Sequence, residues 1–137
     1  MEIVVALPPV FESILRVFPR AGERGTLFAF GDKIFNPSGI VIPPELIAHE
    51  EVHGARQLAM EGGVDEWWAQ YILSPVFRCD EELYAHRAEY AKVCEVVKDR
   101  NRRAKHLHHI ASRLAGPLYG GVIPFVEARA LIGSGVK

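Results

Sequence analysis

The stretch IFNPSGIVIPPELIAHEEVH, residues 34–53, contains the change from strand to helix that decides the fold of this chain. Its first half sets short apolar runs around the turn signal NPSG (residues 36–39), a pattern typical of β structure. Pro44 suits the first position of a helix, where a missing N–H costs no hydrogen bond. The second half therefore predicts a helix that continues to about Met60, where two glycines follow.

Around this stretch the chain predicts a small sheet followed by helices. A short strand is expected at residues 3–7, a helical turn or two at 11–17, and a curled antiparallel sheet within 26–42. Further helices are expected at residues 64–73, 79–98, 102–114 and from 124 onward. The predicted fold is α+β, a small curled antiparallel sheet followed by four or five helices, in a single domain over residues 1–137.

Composition and charge exclude some classes of partner. The chain has 137 residues and a net charge of −1, so no strong field attracts nucleic acid or a membrane surface. Cys79 and Cys94 are expected to lie too far apart on one helix to form a disulfide. The first residues lack the positive charge of a signal peptide, and no apolar run is long enough to span a bilayer. We expect a soluble cytoplasmic protein with no nucleic-acid or membrane partner.

The segment HEEVH, residues 49–53, has the spacing of a metal site on a helix. His49 and His53 are four residues apart and so lie on the same face, one turn above each other. Glu50 is about 100° around from His49, where it reaches a water on the metal without binding the metal itself. This is the HExxH arrangement, which supplies two zinc ligands and a general base from one helical turn.

The rest of this helix predicts how it packs. Four apolar residues are expected to form a stripe against the sheet, beside the histidine face: Ala48, Val52, Ala55 and Ala59. Gly54 is a poor helix residue, and its missing side chain is expected to admit another element near the metal.

A catalytic zinc takes three protein ligands and leaves the fourth position for water, so a third ligand is needed. The segment DEELYAHRAEY, residues 80–90, offers Glu82 at the start of a Glu-x-x-Ala pattern. Glu81, about 100° around the helix, and Glu89, two turns further on, remain alternatives. Negative charge near a helix N-terminus also has a purely structural explanation, which accounts well for Asp80 and Glu81.

HEEVH followed by this Glu-x-x-Ala pattern, behind a curled sheet, resembles the gluzincin class of zinc metallopeptidases over about residues 27–90. The sheet ahead of the HExxH helix also resembles the small single-domain members, the minigluzincins. The resemblance implies a zincin-like fold that cleaves peptide bonds in a protein or peptide substrate. It implies zinc bound by His49, His53 and Glu82, with Glu50 as general base. His86 replaces an aspartate that supports a ligand histidine in many members, and it could accept a similar hydrogen bond or compete for the metal.

Several points stay open at the level of sequence. The donor to the oxyanion is not identified, and the candidates are Tyr71, Tyr84, Tyr90, Arg78, Arg87 and the histidines at 106, 108 and 109. The aromatic group of Trp67, Trp68 and Tyr71 fits either a core or a hydrophobic specificity pocket. The alternatives to a peptidase are a zinc amidase acting on a cell-wall cross-link and a non-catalytic module that binds a peptide or protein.

Overall fold

A computed structural model describes residues 1–134 of the chain. These residues form a small three-stranded sheet and six α-helices. The strands are β1 (Glu2–Val4), β2 (Phe28–Phe30) and β3 (Lys33–Phe35). The helices are α1 (Phe11–Val17), α2 (Pro44–Ala59), α3 (Gly63–Leu73), α4 (Pro75–Val96), α5 (Arg100–Leu114) and α6 (Phe125–Ser134), with 3₁₀ turns at Pro19–Gly22 and Pro117–Tyr119. The predicted α+β class is confirmed, and five of the helices follow the sheet.

The sheet is mixed: the antiparallel pairing predicted within residues 26–42 is confirmed for β2 and β3, but the prediction of a wholly antiparallel sheet was wrong. Its strand order is β1-β3-β2, with β2 antiparallel to β3 but β1 parallel to it. A parallel pair needs a long connection, and the chain that contains α1 and β2 supplies it. Residues 40–42, predicted to lie in the sheet, form no strand, and the side chain of Asn36 donates a hydrogen bond to the Ile40 carbonyl (2.9 Å).

Helix α2 packs through its polar face, so the predicted apolar stripe was also wrong. Ala55 and Ala59 are exposed. The buried residues of α2 are His49, Glu50, His53, Gly54 and Gln57. A polar face can be buried when its groups find partners.

Two residues of α2 fix the helix to the turn between β2 and β3. The Gln57 side chain accepts a hydrogen bond from the Gly31 N–H (2.7 Å) and donates one to the Ala29 carbonyl (2.9 Å). At Gly54 an added Cβ would lie 2.1 Å from the Gly31 oxygen. The expectation that Gly54 admits another element is therefore met by the β2–β3 turn.

Two apolar clusters hold the fold on either side of α4. One joins α4, α5 and α6 through residues such as Val93, Ile110 and Ile132. The other contains Ile14, Phe28 and the α3 tryptophans. Cys79 and Cys94 both lie on α4 as free thiols, as predicted.

Within residues 1–134, none of the helices has the length and apolar character that a bilayer crossing requires.

Candidate metal centre

Helices α2 and α4 pack together and bring three candidate ligands to one point. His49 Nε2 lies 3.2 Å from Glu82 Oε1, and His53 Nε2 lies 3.1 Å from Glu82 Oε2. All three residues are buried. Ligands about 2.0–2.1 Å from a tetrahedral zinc lie roughly 3.3 Å from one another, so these separations fit a shared ion.

The hydrogen bonding of Glu82 also fits a cation. Glu82 Oε1 is buried and accepts no hydrogen bond from any described residue, although the His49 ring nitrogen is within 3.2 Å. A buried carboxylate oxygen without a donor is costly unless a positive charge compensates it. The donor set of two imidazoles and one carboxylate is one that zinc accepts.

The other ring nitrogen of His49, Nδ1, contacts a glutamate of α4 that is in turn bound by an arginine of α5. His49 Nδ1 lies 2.8 Å from Glu89 Oε1, and the other oxygen of Glu89 accepts a hydrogen bond from Arg113. In the neutral ring, the ionised Glu89 favours the proton on Nδ1, which leaves the lone pair of Nε2 for a metal. Burial alone would raise the pKa of Glu89, but the contacts with His49 and Arg113 hold it below its ordinary value.

The carboxylate of Glu82 is held from α3. Tyr71 donates its hydroxyl hydrogen to Glu82 Oε2 at 2.6 Å. Burial and the charge of Glu82 raise the pKa of Tyr71 well above its usual value, so the hydroxyl stays a donor. Tyr71 was a candidate oxyanion donor, but this hydrogen bond gives it a different task, that of orienting Glu82.

Glu50 is buried beside His49 on α2. Burial raises the pKa of Glu50 above its ordinary value, while the two histidines oppose that rise. No side chain of the described residues donates a hydrogen bond to its carboxylate, whose oxygens are not among the fully buried atoms that lack a partner. A glutamate with a raised pKa and a free carboxylate next to a metal site suits a general base.

The other two glutamates considered as ligands have partners elsewhere. Glu81 accepts hydrogen bonds from Arg56 (Nη2 to Oε2, 2.9 Å) and from the Trp67 indole (2.6 Å). Its oxygens are therefore used in joining α2, α3 and α4. Glu89 supports His49 and is neutralised by Arg113.

His86 is fully buried in the same cluster, where its Nδ1 contacts the main-chain oxygen of Glu82 at 2.6 Å and lies 3.5 Å from Glu82 Oε1. Glu89, rather than His86, contacts Nδ1 of the candidate ligand His49. Burial lowers the pKa of His86 to about 4, so the ring is neutral. His49, His86 and Glu89 form a second group that could hold a metal. Arg113 on Glu89 disfavours a cation there, because it already neutralises that carboxylate.

Tyr119 and Arg113 reach the site from the C-terminal part of the chain, and sequence reasoning missed both. The Tyr119 ring lies edge-on to His86, with centroids 5.6 Å apart. Burial and the nearby charges of Glu82 and Glu50 raise the pKa of Tyr119 well above its usual value. Neither residue belongs to a motif, and only contact across the fold identifies them.

Several of the other candidate oxyanion donors are exposed or have partners elsewhere. Tyr84 is 48% exposed and packs under Arg56. Arg78 donates to the main-chain oxygens of Tyr71 and Ile72 at the end of α3. His108 and His109 are exposed on α5.

Comparison with protein-family models, with curated proteins and with solved structures gives no significant match for this chain.

Proposed function

We propose that this protein is a zinc-dependent hydrolase that cleaves peptide bonds in a protein or peptide substrate, with a zincin-like site of the gluzincin type. The observation that carries the proposal is the convergence of His49, His53 and Glu82 within 4.8 Å of one another, with Glu50 buried beside them. His49, His53 and Glu82 would hold the zinc, and Glu50 would act as general base.

The donor set favours a catalytic zinc over a structural one. Structural sites use four protein ligands, whereas catalytic sites use three and leave one position for water. The group around Glu82 contains three ligands, and His86 does not belong to it. Neither Cys79 nor Cys94 belongs to it either.

The chemistry follows from these roles. A zinc ion held by these residues would supply a Lewis acid for the scissile carbonyl and lower the pKa of a water to about 7. Glu50 would take a proton from the attacking water and deliver it to the leaving amine. Tyr71 keeps Glu82 oriented, and Glu89 keeps the lone pair of His49 Nε2 free. We assign the oxyanion donor to Tyr119, whose ring lies edge-on to His86 with centroids 5.6 Å apart and so borders the cluster.

Glu50 also favours a hydrolase over a non-catalytic module that binds a peptide. Removing an ionised carboxylate from water costs free energy, and burial raises the pKa of Glu50 for this reason. A module that only binds a peptide gains nothing from it, whereas a hydrolase needs it as a base.

The metal is tested first. We expect purified wild-type protein to hold about one zinc per chain, and His49→Ala and Glu82→Ala to lose it. Glu51→Gln, an exposed neighbour on α2, serves as the control and should keep the zinc. A wild-type protein that binds no zinc when zinc is supplied would refute the proposed site.

The reaction is tested by the pair Glu50→Gln and Glu51→Gln. Glu50→Gln should keep its zinc but lose roughly 10²–10⁴-fold in peptide cleavage, since it removes the general base. Glu51→Gln should retain both. Equal cleavage by Glu50→Gln and wild type would exclude the proposed mechanism. A zinc-loaded protein that leaves peptides intact but releases cross-links from cell-wall material would be the amidase.

A further inference from the structure

A cavity of about 590 Å³ lies between α1, the Pro19–Gly22 turn and β2 on one side and the Pro117–Tyr119 turn on the other. Its volume is in the range of small-molecule sites. Most of its wall is apolar and includes Val17, Phe18, Phe28, Trp68 and Leu118. The candidate ligands and base of the metal centre do not line it: His49, His53, Glu82 and Glu50. A ligand of this cavity therefore has to be identified from the cavity's own residues.

One residue of the wall carries a charge that no carboxylate of the described residues neutralises. Arg78 lines the cavity and is only 5% exposed. The arginines that form ion pairs within residues 1–134 are Arg20, Arg56 and Arg113 instead. A guanidinium stays protonated in proteins, and a buried charge without a counter-ion costs free energy. The wall of the cavity therefore contains a cation that lacks an anion.

The hydrogen bonds of Arg78 fix its position but satisfy only part of its guanidinium. Nε donates to the Tyr71 carbonyl and Nη2 to the Ile72 carbonyl, both at 2.9 Å. These carbonyls lie in the last turn of α3, where the helix dipole offsets part of the positive charge. A guanidinium has five N–H donors, so both Nη1 hydrogens and one Nη2 hydrogen lack a partner among the described residues. Adjacent N–H groups of this kind bind a carboxylate through two parallel hydrogen bonds.

The surroundings of the guanidinium are aromatic, and the nearest acid of the wall is already paired. The guanidinium carbon of Arg78 lies 4.6 Å from the ring centroid of Phe18 and 5.6 Å from that of Tyr71. Within the part of the chain that the structure describes, Glu23 is the one carboxylate that lines the cavity. It forms an exposed ion pair with Arg20 at 2.8 Å. The counter-ion of Arg78 therefore has to come from a ligand.

We propose that this cavity binds a small carboxylic acid with an apolar alkyl or aryl body. Its carboxylate accepts two hydrogen bonds from Arg78, and its apolar body lies against Phe18, Trp68 and Leu118. An inorganic anion would leave the apolar wall in contact with water, and a neutral apolar molecule would leave the guanidinium without a counter-ion. The inference does not depend on the proposed hydrolysis. It gives Arg78, a sequence candidate for the oxyanion donor, a separate binding role.

Calorimetric titration of wild-type protein with octanoate tests this site. One octanoate per chain should bind at least tenfold more tightly than octanamide, its neutral counterpart, because a charge-assisted pair is stronger than a neutral hydrogen bond. It should also bind at least a hundredfold more tightly than acetate, because its additional methylenes are removed from water. Equal affinity for octanoate and octanamide, or for octanoate and acetate, would overturn the proposal.

Substitution of the arginine tests its role in the site. Arg78→Gln should lose the preference for octanoate over octanamide, and Arg78→Lys should keep part of it because the charge remains. Arg78 also binds two carbonyls of α3, so thermal unfolding checks that each variant is folded. A folded Arg78→Gln variant that still prefers octanoate would contradict the assignment of the carboxylate to Arg78.

A second substitution narrows the cavity without changing Arg78. Leu118 is 52% exposed, so Leu118→Trp adds bulk to the wall without disturbing a buried position, and octanoate should bind at least tenfold more weakly. Leu15→Trp is the matched control and should bind octanoate as wild type does, because Leu15 on α1 is 38% exposed but does not line the cavity. Unchanged affinity in a folded Leu118→Trp variant would overturn the proposed location.

Two further titrations separate this site from other places and forms of a carboxylate. His49→Ala, which is expected to lose zinc, should bind octanoate as wild type does. Loss of octanoate binding in His49→Ala would place the carboxylate on the metal and overturn the proposal. The peptide acetyl-Ala-Ala-Phe carries its carboxylate at a chain end. Tighter binding of this peptide than of octanoate would assign Arg78 to a peptide C-terminus and overturn the free acid as the ligand.

Discussion

At the scale of single residues, three glutamates of α4 have different contacts, and their positions in the sequence do not predict which glutamate makes which contact. Glu81 joins Arg56 and Trp67, Glu82 faces the two histidines of α2, and Glu89 supports His49. The approaching side chain decides each task, because a guanidinium neutralises a carboxylate and a neutral imidazole leaves it free for a metal.

Tyr119→Phe is expected to lower kcat by roughly 10²–10³-fold while KM and zinc content stay near wild type, as for removal of one oxyanion donor. Steady-state kinetics with zinc analysis measures both. Tyr84→Phe, at a tyrosine 48% exposed and packed on Arg56, is the control and should be neutral. A wild-type kcat in Tyr119→Phe would remove this residue from the mechanism.

Arg113→Gln is expected to weaken zinc binding about 10–100-fold, because Glu89 then loses the charge that holds it against His49. Competition with a chromogenic chelator measures the affinity. Arg102→Gln, an exposed arginine on the same helix, should leave it unchanged. Arg113→Lys should recover part of the affinity, and an affinity unchanged in Arg113→Gln would show that Glu89 needs no support from α5.

At the scale of elements, the contact between α2 and the β2–β3 turn places the histidines relative to the sheet. Gly54 permits a backbone-to-backbone approach, and Gln57 supplies the hydrogen bonds to the turn. Both residues lie on the same buried face of α2 as His49 and His53. An error at this contact would therefore move the ligands.

Gly54→Ala is expected to destabilise the fold by about 1–3 kcal/mol, even though alanine favours helices, because its Cβ would meet the Gly31 carbonyl at 2.1 Å. Urea unfolding of the metal-free protein measures the change. Gly133→Ala on α6 is the control: its Cβ would lie 3.4 Å from Leu107, an ordinary contact, and should be neutral or stabilise by up to about 1 kcal/mol. A stability gain in Gly54→Ala would contradict the close approach.

At the scale of the whole molecule, metal binding is expected to couple to folding, since the ligands come from α2 and α4, which meet only in the folded chain. Without metal, burial lowers the pKa of His49, but the carboxylates of Glu82 and Glu89 raise it to about 10. The protonated His49 side chain therefore stabilises the metal-free fold. Its contribution is complete below the pKa of the unfolded chain, near 6.5, and is lost as the pH rises toward 10.

Zinc needs the neutral imidazole, so the metal-bound fold should show the opposite trend. We expect the difference in Tm between zinc-loaded and metal-free protein to grow from pH 6.5 to 8.5. Differential scanning calorimetry at both pH values, with His49→Ala as the control that shows no zinc effect, measures it. A difference that shrinks over this range would contradict the assignment of His49 as a ligand.

The sequence by itself determined what depends on local geometry. The four-residue spacing of HEEVH places His49 and His53 on one helical face with Glu50 beside them, and the Glu-x-x-Ala pattern indicated Glu82. The tertiary structure alone decided the parallel pairing of β1, the burial of the polar face of α2, and the recruitment of Arg113 and Tyr119. These depend on which distant segments meet, and the periodicity of one segment carries no information about the partner that approaches it.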